Sequence, residues 1–70
     1  MVRTSVSSSN IASIGYDSGN STLEIEFHNG GIYQYFNVPE TIHNGIMSAS
    51  SHGTYFHEHI KDVYEYRKVG

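Results

Sequence analysis

Apolar and polar positions alternate with a period of two along parts of this chain and recur at helical spacing along others. Ala12, Ile14 and Tyr16 alternate with Ser13 and Gly15, which is the pattern of a half-buried strand. The polar run Asp17-Ser18-Gly19-Asn20-Ser21 closes it as a turn or hairpin loop. Residues 22–27 give the clearest strand, with Leu23, Ile25 and Phe27 on one face and Thr22, Glu24 and Glu26 on the other. His28-Asn29-Gly30-Gly31 follows as a hairpin signal, because Asn-Gly readily supplies positive φ. Residues 32–36 are the returning strand. Residues 4–10 are polar and low in complexity, a flexible lead-in or at best a frayed edge strand.

The hairpin admits two registers, which bury different side chains. A two-residue Asn29-Gly30 turn pairs Phe27 with Ile32 and Ile25 with Gln34, placing an amide in the core. A type I turn with Gly30 as a bulge pairs Ile25 with Tyr33 and Leu23 with Tyr35. A slip of one residue exchanges the faces, and an unpartnered Gln34 in the core is costly. The bulged register is favoured, with Tyr33 and Tyr35 facing inward.

Pro39 ends the strand pattern and suits the first position of a helix, with Glu40 behind it complementing the positive end of the helix dipole. Ile42, Ile46 and Ala49 share one face of a helix over residues 39–49. Gly45 within it weakens the helix by ~1 kcal/mol relative to Ala or permits a close backbone approach. Ser50-Ser51 stops this helix and caps a second one, which carries Tyr55, Phe56, His59 and Ile60 as a stripe and ends near Lys61. Residues 63–69 alternate again and predict a last strand, with Tyr64 and Tyr66 on one face. The order β-β-β-α-α-β predicts an α+β fold, a small antiparallel sheet of about four strands with two short helices packed on one face. Seven Ile and five Val against a single Leu suit a β-dominated core.

Composition narrows the picture. Seventy residues make one domain, with residues 11–70 its body, and a chain this short holds ~4–10 kcal/mol of net stability. The absence of cysteine removes disulfides and thiolate metal sites. No apolar run approaches a membrane span, and residues 1–10 lack the apolar segment of a signal peptide, so a cytoplasmic domain is expected. Four Lys and Arg against seven Asp and Glu leave a formal charge of −3, so basic character is confined to a small patch at Lys61, Arg67 and Lys68. A nucleic-acid-wrapping domain usually carries a clear basic excess.

The segment Phe27-His28-Asn29-Gly30-Gly31-Ile32-Tyr33-Gln34-Tyr35-Phe36-Asn37-Val38-Pro39 resembles the centre of the KTSC domain, with its Tyr-x-Tyr and Val-Pro hallmarks at Tyr33, Tyr35, Val38 and Pro39. Ala49-Ser50-Ser51-His52-Gly53-Thr54-Tyr55-Phe56 is similar to the family's Ala-x-Ser-x-Gly-x-Tyr-Phe stretch, and Ser8, Ile11, Ile14, Gly15, Tyr16 and Asp17 fit its opening strand. The family takes its name from the C-terminus of some lysyl-tRNA synthetases and also occurs as stand-alone bacterial proteins. It carries no established activity. The resemblance implies RNA binding only through association with a tRNA-charging enzyme.

Aromatic residues two apart on a strand share a face, and an exposed pair stacks on unpaired bases. Tyr33 and Tyr35, with Tyr64, Tyr66, Lys61, Arg67 and Lys68, are therefore the candidate nucleic-acid contacts; the same tyrosines also serve to fill a core short of Leu. His57 and His59 diverge on a helix, and no third ligand falls at a suitable spacing, so no metal is expected. His59 reads as half-buried, and His28, His43 and His57 as surface residues. Ser51, His52 and Asp62 contain the residue types of a triad, but no Gly-x-Ser-x-Gly elbow is present. A chain of this length also leaves little room for a pocket of ~300 Å³ or more. Glu24, Glu26 and Glu65 read as solvated strand faces, with Arg67 or Lys68 opposite them.

These features predict a small non-enzymatic binding module without cofactor, catalytic residue or membrane. Its partner is single-stranded RNA or, alternatively, a protein docking on an open sheet face carrying Ile32, Gln34 and Phe36, with the chain a monomer or weak homodimer.

Overall fold

The computed structural model describes all residues, Met1–Gly70. Its elements are β1 (Arg3–Ser5), β2 (Ile11–Asp17), β3 (Thr22–Phe27), β4 (Ile32–Tyr35), α1 (Glu40–Ser48), α2 (His52–His59) and β5 (Tyr66–Lys68). The strands form one antiparallel sheet in the order β1-β2-β3-β4-β5. The fold is α+β, as the patterning predicts, with one strand more than expected. That extra strand, β1, lies within the polar N-terminal stretch and pairs with β2 through Arg3–Gly15, Thr4–Ile14 and Ser5–Ser13.

The β3–β4 hairpin adopts the bulged register. Ile25 pairs with Tyr33 and Leu23 with Tyr35, and Gly30 sits at φ +98°, where a residue without Cβ is unstrained. A second irregularity lies in β2, where the register shifts between Ile11 and Ser13. An extra residue in one strand flips the alternation, so Ile11 and Ile14 both enter the core although their numbers differ by three.

Ile14, Leu23, Ile25 and Tyr35 from one sheet face join Ile46 of α1, Phe56 of α2 and the following Ile60 in a single buried cluster. Both helices therefore lie on that face. Pro39 stands at the N-cap of α1, one position before its expected place. Ser51 caps α2 by accepting from Thr54 N–H at 3.2 Å. The helices close on each other at Gly45, where a Cβ would collide with the Tyr55 hydroxyl; only glycine leaves room for that ring.

The last strand is shorter than its pattern. Residues 63–69 alternate, yet only Tyr66–Lys68 pairs with β4. After α2 the chain coils through turn bonds, Val63 N–H to Ile60 and Tyr64 N–H to Ile60, with Asp62 left-handed at φ +63°. Tyr64 consequently leaves the strand and packs half-buried against the core.

The opposite sheet face also departs from expectation. Cross-strand register places Arg3, Glu24, Gln34 and Arg67 in one row. Arg3 bonds the Glu24 carboxylate and donates to Ser13 Oγ at 2.9 Å. Gln34 donates to Glu24 at 2.8 Å, and Ser13 to Glu26 at 2.9 Å. Glu24 is thus buried at 7% exposure instead of solvated, and its ionic partner is Arg3 in place of Arg67 or Lys68. A buried carboxylate needs donors, and β1 brings the guanidinium. Ile32 and Phe36 are both half-buried, so this face presents a polar network where an apolar docking patch was expected.

Candidate functional site

Beside the helices, the core-side sheet face stays uncovered over β4 and β5. There the aromatic side chains of four elements meet. Phe27 contacts Tyr33 edge-on at 5.6 Å, Tyr33 contacts Tyr66 at 5.8 Å, and Tyr66 contacts Tyr35 at 5.7 Å. Tyr35 then contacts Phe56 at 5.6 Å, and Phe56 returns to Phe27 at 5.3 Å. The rings form a closed circuit, mostly edge-to-face, the arrangement their quadrupoles favour. Register explains the sheet half of it: Tyr35 pairs with Tyr66, and Tyr33 with Lys68.

The circuit lines an open groove of about 600 Å³, together with Asn10, His28, His57, Lys61 and Asp62. Chain length alone suggested little room for a space this large; the groove exists because two short helices cannot cover a sheet of five strands. A second recess of about 260 Å³, lined by Ser7, Ser8, Ser50, Ser51 and neighbouring polar residues, shares Ser9, Asn10, Gly53 and His57 with it.

Exposure is graded across the aromatic circuit. Tyr66 is 62% exposed, Tyr33 half-buried, and Tyr35 only 5% exposed. Tyr33 was expected inside; it sits at the wall of the groove, facing the correct side but close to the sheet edge. Burial, followed by the neighbouring Tyr33, Tyr66 and Asp62, pushes the Tyr35 hydroxyl up to about 12. It therefore stays protonated, a donor, throughout the physiological range.

Of the sequence-nominated contacts, Tyr33, Tyr35, Tyr66 and Lys61 share the groove, and Lys68 faces the same side next to Tyr33. Arg67 points with Gln34 to the opposite face, and Tyr64 packs against the core outside the groove. Phe27, Phe56, Asn10 and His57 belong to the groove and were not nominated. Phe56 was assigned to the α2 stripe and Phe27 to the inward strand face, so the available signal was their aromatic character. Their meeting depends on how α2 crosses the sheet, which local spacing does not encode.

The histidines are otherwise engaged. His59 is exposed instead of half-buried, its ring resting on Tyr55 at 4.3 Å. His43 stacks on Tyr16 at 5.0 Å, and burial lowers its pKa against the opposing pull of Glu40. His52 Nδ1 lies 2.7 Å from the Ile46 carbonyl. No group of three His, Asp or Glu side chains is placed to hold a metal ion. No helix is long and apolar enough to cross a membrane.

The KTSC domain model matches residues 7–69. The chain belongs to the KTSC domain family. A solved KTSC domain protein of Yersinia pestis is similar over 99% of this chain and 97% of its own, at 51% identity and a TM-score of 0.96. A stand-alone protein of Stutzerimonas stutzeri is 34% identical over 70 residues, covering 99% of each. A lysine-tRNA ligase of Trichormus variabilis is 41% identical over 54 residues, and one of Nostoc punctiforme 33% identical over 59. This KTSC domain spans only 10% of the length of those ligases, so it is similar to one small part of them.

Proposed function

We propose that this KTSC domain is a non-enzymatic module that binds single-stranded RNA in the aromatic groove and works in the cytoplasm, where tRNA is charged. The observation that carries the reading is the aromatic circuit opening into a groove of about 600 Å³, with Lys61 in its lining and Lys68 beside Tyr33. Unstacked bases gain about 1–3 kcal/mol each by lying on aromatic rings, and two lysines at the margin neutralise the adjoining phosphates. Of the seven acidic residues, Glu24 and Glu26 bond Arg3, Ser13 and Gln34 on the other sheet face, whereas Asp62 lines the groove beside Lys61 and offsets part of its attraction for phosphate. The resemblance to parts of lysine-tRNA ligases supports RNA over DNA.

Fluorescence anisotropy with single-stranded RNA at two salt concentrations tests the reading. Two phosphate contacts on a single strand predict about a 7-fold loss of affinity over a roughly fourfold rise in salt. Lys61→Ala together with Lys68→Ala removes that dependence, and Arg67→Ala leaves it nearly intact. Binding insensitive to both salt and the lysines defeats the proposal.

A further inference from the structure

Tyr35 carries a hydroxyl at the groove lining. The residue is 95% buried by its 5% exposure, and its hydroxyl is held by no hydrogen bond within the chain. No fully enclosed side-chain oxygen or nitrogen lacks a partner in this molecule, so the little exposure Tyr35 retains is at its hydroxyl, and the residue lines the groove. A hydroxyl that bonds to nothing in the chain and keeps its exposure inside a groove is a donor open to whatever enters there. Phenylalanine would fill the same place between Phe56 and Tyr66 but present no donor to the groove.

The groove combines a flat apolar lining with this one donor. A Phe, Tyr or Trp side chain matches the lining but offers no acceptor at its ring edge beyond a hydroxyl. A nucleobase is flat and carries carbonyl oxygens and ring nitrogens around its rim. Resting on the RNA-binding reading above, we infer that the groove takes a single unstacked nucleobase edge-first, with the Tyr35 hydroxyl donating to a carbonyl oxygen or ring nitrogen of that base. Tyr33 and Tyr66 form the stacking wall, and Lys61 lies where the phosphate backbone leaves the groove.

The test uses the whole domain and two probes. One is oligouridylate; the other is a strand of equal length whose uracils are replaced by difluorotoluene, which keeps the ring shape but lacks carbonyl acceptors. The wild type is expected to prefer uracil by about 3–10-fold, the worth of one net hydrogen bond. Tyr35→Phe is expected to bind the two strands equally and to unfold at the same or a higher denaturant concentration. A uracil preference retained in Tyr35→Phe overturns the inference, as does a loss of stability in that variant, which would show the hydroxyl to be a structural bond. Equal binding of both strands by the wild type overturns the inference and leaves RNA binding intact. No binding of either strand overturns both.

Discussion

Glu24 and Tyr35 lie on neighbouring strands and point to opposite faces of the sheet, each almost fully buried at 7% and 5% exposure. Around Glu24 every demand is met: Arg3 and Gln34 both donate to its carboxylate. Around Tyr35 nothing inside the chain answers the hydroxyl, and the groove opens in front of it. The first face is completed by the protein itself. The second opens to solvent at the groove. Burial alone therefore does not distinguish the two residues; what differs is whether the polar group is bonded within the chain or faces the groove.

The comparison breaks most severely at Phe56, which touches both Tyr35 and Phe27 and carries the aromatic lining into the core. Phe56→Ala is expected to cost about 3–5 kcal/mol, the range for a large aromatic removed from a packed site. Urea unfolding measures it, and in a domain of this size that loss consumes much of the total stability. A loss below about 1 kcal/mol would show that the lining is not packed.

On the other face, Arg3→Ala leaves the Glu24 carboxylate short of its charged donor. The expected loss is about 1–3 kcal/mol, smaller because Arg3 keeps 27% of its side chain exposed. The same contact sets an acid dependence. Burial raises the Glu24 pKa, but hydrogen bonds from Gln34 and Arg3 outweigh it and hold the group below its ordinary 4.5. The unfolded chain thus takes up the proton first. The stability Glu24 contributes is present above pH 4.5 and lost as pH falls through its lower folded value. Glu24→Gln is expected to flatten the stability curve in that acid window; an unchanged slope would mean that other carboxylates set it.

Smallest in stability is Tyr66→Ala. Tyr66 is 62% exposed on an edge strand, so thermal unfolding is expected to shift little. RNA affinity is expected to fall about 10-fold, the value of one stacked base. A large stability loss with unchanged affinity would assign Tyr66 to the fold.

The sequence made the framework legible where short-range chemistry is decisive. Asn29-Gly30 and the cost of burying Gln34 specified the hairpin register, and Ser50-Ser51 marked the break between helices. Three features were hidden, each for a physical reason. β1 reads as a flexible lead-in or at best a frayed edge strand, because what holds it is one long-range partner, the Arg3 bond to Glu24. The alternation through Val63 and Tyr64 imitated a strand, although turn bonds to Ile60 hold that segment. The groove was half visible: Tyr33, Tyr35, Tyr66 and Lys61 were legible as candidates, whereas Phe27 and Phe56 join them only through tertiary crossing. Lys68 and Arg67 look alike in sequence, and alternation across the sheet sends one to each face.

The most direct measurement follows backbone amide shifts of the labelled domain during titration with oligouridylate at low salt. Changes are expected to concentrate at Tyr33, Tyr35, Phe56, Lys61 and Tyr66, with Arg3, Glu24 and Gln34 unmoved. Silence throughout the titration at millimolar RNA, or changes centred on the Arg3, Glu24 and Gln34 face, would contradict RNA binding in the groove.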